Sequence, residues 1–442
     1  RHSGAHTCRI ALIQQAGGTW RLLFDRASVS NRLPPLFWYL AIQLMALAAV
    51  PLCWRLLAGL PDRGYAVAKS VGLLLTGYVA WLLPSLRVLP FGPMAVLAGI
   101  AVTATLSLAL VWPRRAVFWD DLRRGWRSML WTEALFLAAF AAFVWIRALN
   151  PDLWHRFRGG EKPMDFAYFN AVLRSTYFPP YDPWFAGGYL NYYYFGYVLM
   201  GVLTRLTGIV PAVAFNLAVP TVFALMVVNS WAFVTAILRW LGGDLHRRAG
   251  WVVPVLGLLG VLFVAVLGNL DMVLRVSHGQ WGYPVVRYES LLPGAGVLVR
   301  ITAGVWNALT VHRPLPSDIY WPSSRVIKDT INEFPYFSFL FADLHAHMMA
   351  LPFTAAALLV ALGILGACPW PARRTAEVEP ATGGPAPWWF PFWRLAPPAA
   401  PDRPLFQLEQ GWRALWASVP WGAATERLGL AGLAGLVAGG LL

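Results

Sequence analysis

LNYYYFGYVLMGVLTRLT, residues 190–207, is the segment on which the architecture turns. Asn191, three consecutive tyrosines, Gly196 and Arg205 leave it only a weak apolar core, bounded by Gly208 and Pro211. If the segment crosses a bilayer, two long polar loops, 149–190 (loop A) and 269–348 (loop B), fall on opposite sides. The turn holding Arg239, Arg247 and Arg248 then lands outside with loop A, against the tendency of basic loops to stay inside. If it instead lies along the interface or re-enters, both loops share the outer face. The Arg-bearing stretches 113–127, 239–249 and 368–427 then face the cytoplasm. The second arrangement is the one expected, with 190–207 as a juxtamembrane helix. Its one misfit is the basic N-terminal tail, which it puts outside.

A bilayer is implied by composition. Of 442 residues, 58% are hydrophobic and 13% charged, too few charges to solvate a soluble fold of this length. Apolar stretches at 35–59, 67–84, 91–112, 129–148, 211–239, 250–268 and 349–367, with another starting near 428, are each read as a helix able to cross about 30 Å of hydrocarbon. The expected fold is all-α, a polytopic transmembrane bundle of about eight spanning helices with juxtamembrane helices in its outer loops. The 24 Trp supply rings for both interfaces. The formal charge of +14 comes mostly from Arg in short loops beside apolar helices, which is a topology signal and excludes a nucleic-acid footprint. Cys8, Cys53 and Cys368 have no metal-ligand spacing.

Five regions follow. Residues 1–33 form a polar segment, peripheral or non-native. Residues 34–128 form a three-helix module and 129–367 a membrane core. Residues 368–427 carry ten prolines between Pro369 and Pro404, which deny most of that stretch a regular helix, and 428–442 begin another helix. With Arg1 first and Leu442 inside an apolar run, the sequence reads as a fragment at both ends.

Chemistry is expected in the two loops. Loop A holds Glu161, Asp165 and Asp182, acids close to a membrane face where an unpaired charge is costly. Pro163 can open a helix running to about Ser175, so Asp165 falls in its first turn as either a base or a complement to the helix dipole. Asp182, in Pro-Pro-Tyr-Asp-Pro-Trp, either organises a turn or meets substrate. Glu161 follows Gly159 and Gly160, a flexible approach that could bring backbone amides near an anion. Tyr192, Tyr193 and Tyr194 point about 100° apart on a helix and cannot all face one ligand. Some anchor the interface, while one, Tyr193 or Tyr194, can stack on a sugar or donate to a phosphate.

Loop B ends in Asp343-Leu-His345-Ala-His347, the densest ligand set in the chain. These three side chains could hold a divalent ion such as Mg or Mn, or hydrogen-bond one another and cap the next helix. Arg325 and Lys328 could hold a phosphate, or pair with Asp329 and Glu333 as a solvated network.

These stretches carry a resemblance. Glu161-Lys-Pro-Met-Asp165, Pro179-Pro-Tyr-Asp-Pro-Trp184, Asn191-Tyr-Tyr-Tyr-Phe-Gly196, Ser324-Arg-Val-Ile327, and Asn332-Glu-Phe-Pro335 through His347 resemble the uncharacterised bacterial and archaeal membrane-protein family named for its Tyr-Tyr-Tyr motif, the Chlor_Arch_YYY family. The resemblance covers most of residues 35–367. Its layout is similar to the GT-C superfamily of membrane glycosyltransferases, in which a first large outer loop carries an essential acid and lipid-phosphate sugars are donors. GT-C proteins usually place that loop after the first helix. Here three apolar helices come before, either an added module or a departure from the analogy.

The resemblance implies transfer of a sugar from a polyprenyl-phosphate carrier at the outer membrane face, with Asp165 as base and Glu161 as its substitute. A metal on Asp343, His345 and His347, or Arg325 and Lys328 directly, would take the charge of the leaving phosphate. Membrane lipid and a polyprenyl-phosphate-linked sugar are the implied partners. The rivals are a lipid or lipid-linked-sugar transporter, whose path should be lined by intramembrane polar residues such as Glu133, and a non-catalytic assembly protein.

Overall fold

The computed structural model describes residues 24–154, 160–241, 252–271 and 321–367, with isolated positions between 274 and 310. Within these the chain is helical, and its strand-like pairing is a single bridge between Tyr181 and Tyr189. The helices are α1 (Pro34–Leu56), α2 (Ala68–Ser85), α3 (Pro93–Val111), α4 (Arg115–Leu149), α5 (Lys162–Arg174), α6 (Phe195–Thr207), α7 (Pro211–Leu241), α8 (Val252–Val261), α9 (Pro335–Phe341) and α10 (Ala346–Ala367). A single helical turn, Val29–Arg32, precedes them. The Pro-rich region and the segment near 428 lie outside the described residues.

Four helical stretches are long and apolar enough to cross a membrane: Pro34–Leu56, Pro93–Leu149, Pro211–Arg239 and Ala346–Gly366. Phe195–Thr207 and Val252–Val266 are apolar but shorter. The expectation of eight crossings is therefore met only in part. The basic segment 113–127 is also not a loop. Pro113 sits in a 3-10 turn, Trp112–Arg114, and from Arg115 one helix of 35 residues runs through the arginines into the apolar part. Arg, Leu and Trp favour that outcome, because their side chains are solvated on an exposed helix surface and no proline interrupts them.

Contacts between α1, α4 and α7 set the directions. Trp54, near the end of α1, bonds Asp121 near the start of α4, whereas Gln43 reaches Glu133. At the far end of α4, Arg147 bonds Asn216 in the second turn of α7. The three helices thus alternate in direction, and the loops after α4 and before α7 emerge at one end. Small residues let neighbouring backbones touch: a Cβ on Gly72 would stand 2.1 Å from the Met45 carbonyl oxygen, and one on Gly99 2.6 Å from that of Thr76.

α6 has 13 residues, too few to span about 30 Å, as anticipated, and it is packed inside the protein. Tyr197 through Thr204 are buried, packed among α1, α2, α3 and α5. Trp81 donates to Tyr194 just before α6, and Asn31 bonds Gly208 and Val210 just after it. Gly208, at φ +66°, ends the helix in the left-handed conformation that a residue without Cβ adopts freely. Residues 24–33 thereby belong to the packed structure.

Glu133, in the apolar part of α4, is held by a network. It pairs with Lys69, which is 2% exposed, and accepts from Gln43 (2.6 Å), Tyr65 (2.9 Å) and Tyr39 (3.3 Å). Removing one member strands a buried charge. Lys69→Ala is expected to cost about 3–5 kcal/mol in unfolding measured in micelles, whereas joint Lys69→Met and Glu133→Leu costs less. A single variant as stable as the parent protein contradicts this network.

Candidate functional site

Loops A and B meet at Gly160. Its φ of +59° suits a residue without Cβ, and a Cβ there would stand 2.3 Å from the Phe341 ring and 2.6 Å from Asp343 Oδ2. This approach lets the Glu161 N–H donate to Asp343 Oδ2 at 3.0 Å. The amide that follows Gly160 does meet an anion, and the anion is the protein's own. Ala342, also left-handed at φ +61°, ends α9 and swings the chain so that Asp343 faces Gly160 while the histidines follow.

A chain of polar groups extends from that clasp. Glu161 Oε2 lies 2.7 Å from His345 Nε2, and the Tyr192 hydroxyl is also 2.7 Å from that nitrogen. His345 Nδ1 faces His347 Nδ1 at 2.8 Å, and His347 Nε2 meets Glu333 Oε2 at 3.0 Å. Ser338 donates to Glu333 at 2.9 Å. Each imidazole is thus gripped at Nε2 by a carboxylate, as metal-bound histidines commonly are. Neutral rings that both donate at Nε2 would oppose two lone pairs, so the pair can take up one proton or one cation between its Nδ1 atoms. Burial and the neighbouring His347 hold the His345 pKa below its ordinary value. Among the described residues, no three of these side chains are gathered as ligands around one point.

Asp165 lies beneath this surface. Its side chain is 0% exposed, Oδ1 accepts from Tyr197 at 2.6 Å, and Oδ2 has no hydrogen-bond partner. Burial pushes its pKa up to about 7, the Tyr197 bond opposing and the Asp343 and Glu161 charges adding to the rise. Asp343 is raised to about 6, again mainly by burial. Its Oδ1 makes no hydrogen bond, with Lys162 Nζ 3.9 Å away and set 4.9 Å above the Phe341 ring.

The structure therefore brings together Glu161, Asp165, Asp343, His345 and His347, and sets other expected residues apart. Arg325 stacks on Trp321 at 4.4 Å and bonds Ser324, joined to Lys162 only through the Trp321–Phe341 aromatic contact. Lys328 is exposed. Asp182 Oδ1 accepts from the Trp184 and Phe185 amides, at 2.7 and 3.1 Å, holding its own turn. Of the three tyrosines, Tyr193 is exposed and Tyr194 meets Trp81 and Phe178. Tyr192 is the one at the histidines. Lys162, Tyr192, Tyr197 and Glu333 were not singled out as site residues by sequence.

The raised Asp165 pKa has a testable consequence. The folded state binds that proton more tightly than the unfolded chain, whose carboxyl titrates near 3.8. The associated stability is present below about pH 4 and is lost as pH rises through about 7. Asp165→Asn, which resembles the protonated acid, should flatten the fall in Tm over that range. An unchanged pH slope contradicts the assignment.

Residues 75–379 match the family model described as Uncharacterized membrane protein (DUF2298), a span that contains every residue of the cluster. Comparison with curated proteins finds no match, and comparison with solved structures finds none either. The match covers more than half of the chain, which accordingly belongs to this family of uncharacterised membrane proteins.

Proposed function

We propose that this membrane protein transfers a sugar from a polyprenyl-phosphate carrier to an acceptor hydroxyl at the outer face of the bilayer. The reading is carried by one observation: Glu161 and Asp343, 182 residues apart in sequence, converge with the imidazoles at one end of an apolar bundle, with the Glu161–His345 pair at the surface. Such a site lies where a lipid phosphate headgroup would reach it.

Transfer requires a base for the acceptor proton. Glu161, with its side chain 55% exposed and steered by His345, suits that task better than the wholly buried Asp165. The acceptor oxygen bonds to the sugar C1 as the C1–O bond to phosphate breaks. The electron pair leaves with the polyprenyl phosphate, and the proton passes to Glu161. Lys162, next in sequence to the base and 3.9 Å from Asp343 Oδ1, is a cation for the leaving phosphate. Because Asp343 Oδ2 is taken by the Glu161 amide and no three ligands gather around one point among the described residues, an ion would have to rest on the facing His345 and His347 imidazoles, a pair that suits Mn better than Mg. Such an ion would add positive charge for the departing phosphate.

A transporter is the second reading, favoured by the Lys69–Glu133 pair among the apolar helices. Purified protein given a radiolabelled lipid-phosphate sugar separates the two. Glu161→Gln and His345→Ala should each lower covalent transfer by about 100-fold or more. Unchanged transfer in both, or movement of labelled lipid with no covalent product, contradicts the transferase. Reporter fusions in loops A and B should both report the outer side.

A further inference from the structure

α5 has a second functional face. Ala167, Asn170, Ala171 and Arg174 lie about 140–240° around the helix from Asp165, and they line a cleft of about 640 Å³. That volume is within the range of about 300–1,000 Å³ typical of small-molecule sites. The opposite wall is the loop 180–190, closed by the Asp182 amide to the Gly188 carbonyl (3.0 Å) and the Leu190 amide to the Pro180 carbonyl (2.8 Å). This closure stacks Tyr181 on Tyr189, ring centroids 5.0 Å apart and planes 19° from parallel. The rings are fixed to each other yet 65% and 55% exposed, leaving flat aromatic faces turned outward.

Charge further defines an occupant. Arg87 reaches the cleft from the end of α2, and its backbone holds φ +57°, a conformation costly to a residue with a Cβ. With Arg174 it places two cations on the lining, against one carboxylate, Asp182, whose Oδ1 is occupied by its own turn. A tyrosine face suits the C–H face of a pyranose, and guanidinium groups suit an anion.

We infer that this cleft binds a sugar bearing a phosphate or carboxylate group. The claim concerns binding and stands whether or not transfer occurs at the Glu161 cluster.

Full-length chain in nanodiscs should be titrated calorimetrically with glucose 1-phosphate, glucose, inorganic phosphate and AMP. Glucose 1-phosphate is expected to bind at least about tenfold more tightly than the other three probes. Tyr181→Ala and Arg87→Ala, both at exposed side chains, should each weaken it by about tenfold or more. Trp184→Ala at the loop tip should leave it unchanged. Competition from phosphatidylinositol in the disc would assign the natural ligand to a lipid, and its absence to a free sugar. No binding, tighter binding of AMP, or binding indifferent to both Tyr181→Ala and Arg87→Ala would overturn the inference.

Discussion

The hydrogen bond from the Glu161 amide to Asp343 Oδ2 joins two segments that the chain separates by five helices, α5 to α9. Without it, loop A would hold an acidic helix start and loop B a pair of histidines, each unremarkable. It depends on Gly160, since any Cβ there would press into the Phe341 ring. Once formed, it places Glu161 against His345 and Lys162 beside Asp343, and the rest of the polar chain follows from these two contacts.

Burial gives the cluster its chemistry. Asp165 and Asp343 sit in surroundings that favour their neutral forms, whereas Glu161 above them is open to solvent. One site therefore offers acids of graded proton affinity within a short span. The same principle governs the far half of the bundle differently. There Lys69 and Glu133 are taken into the apolar interior together, each made tolerable by the other and by the Tyr39, Gln43 and Tyr65 side chains. The charges of this protein thus occur in two settings, a solvent-reaching cluster at one end and a closed network among the helices.

Much of this was legible before any coordinates. Hydrophobic length located the apolar helices and Pro163 located the start of α5, because both act locally. Asp343, His345 and His347 stood out by density alone. Two features escaped for physical reasons. The 113–127 helix was read as a loop because charge in an apolar chain suggests a boundary, although Arg and Leu are good helix formers. Tyr192, Glu333 and Lys162 acquire roles only through contacts across the fold. No spacing in sequence states that Glu333 would turn to His347 rather than to Arg325, or that the middle of α6 would be buried among four other helices.

The central claim is that loops A and B form one site, and crosslinking in intact membranes tests it most directly. In a background with Cys8, Cys53 and Cys368 replaced by Ala, Glu161→Cys and His345→Cys would be combined and treated with a bis-thiol-reactive linker of about 10 Å, since side chains that meet at their tips leave the Cα atoms too far apart for a direct disulfide, and the linked peptides identified by mass spectrometry. The contacting positions 161 and 345 should yield a crosslink. A control pairing Glu161→Cys with Arg124→Cys, from the opposite end of α4, should yield none. Absence of the 161–345 link, or equal linkage in the control, would contradict the account.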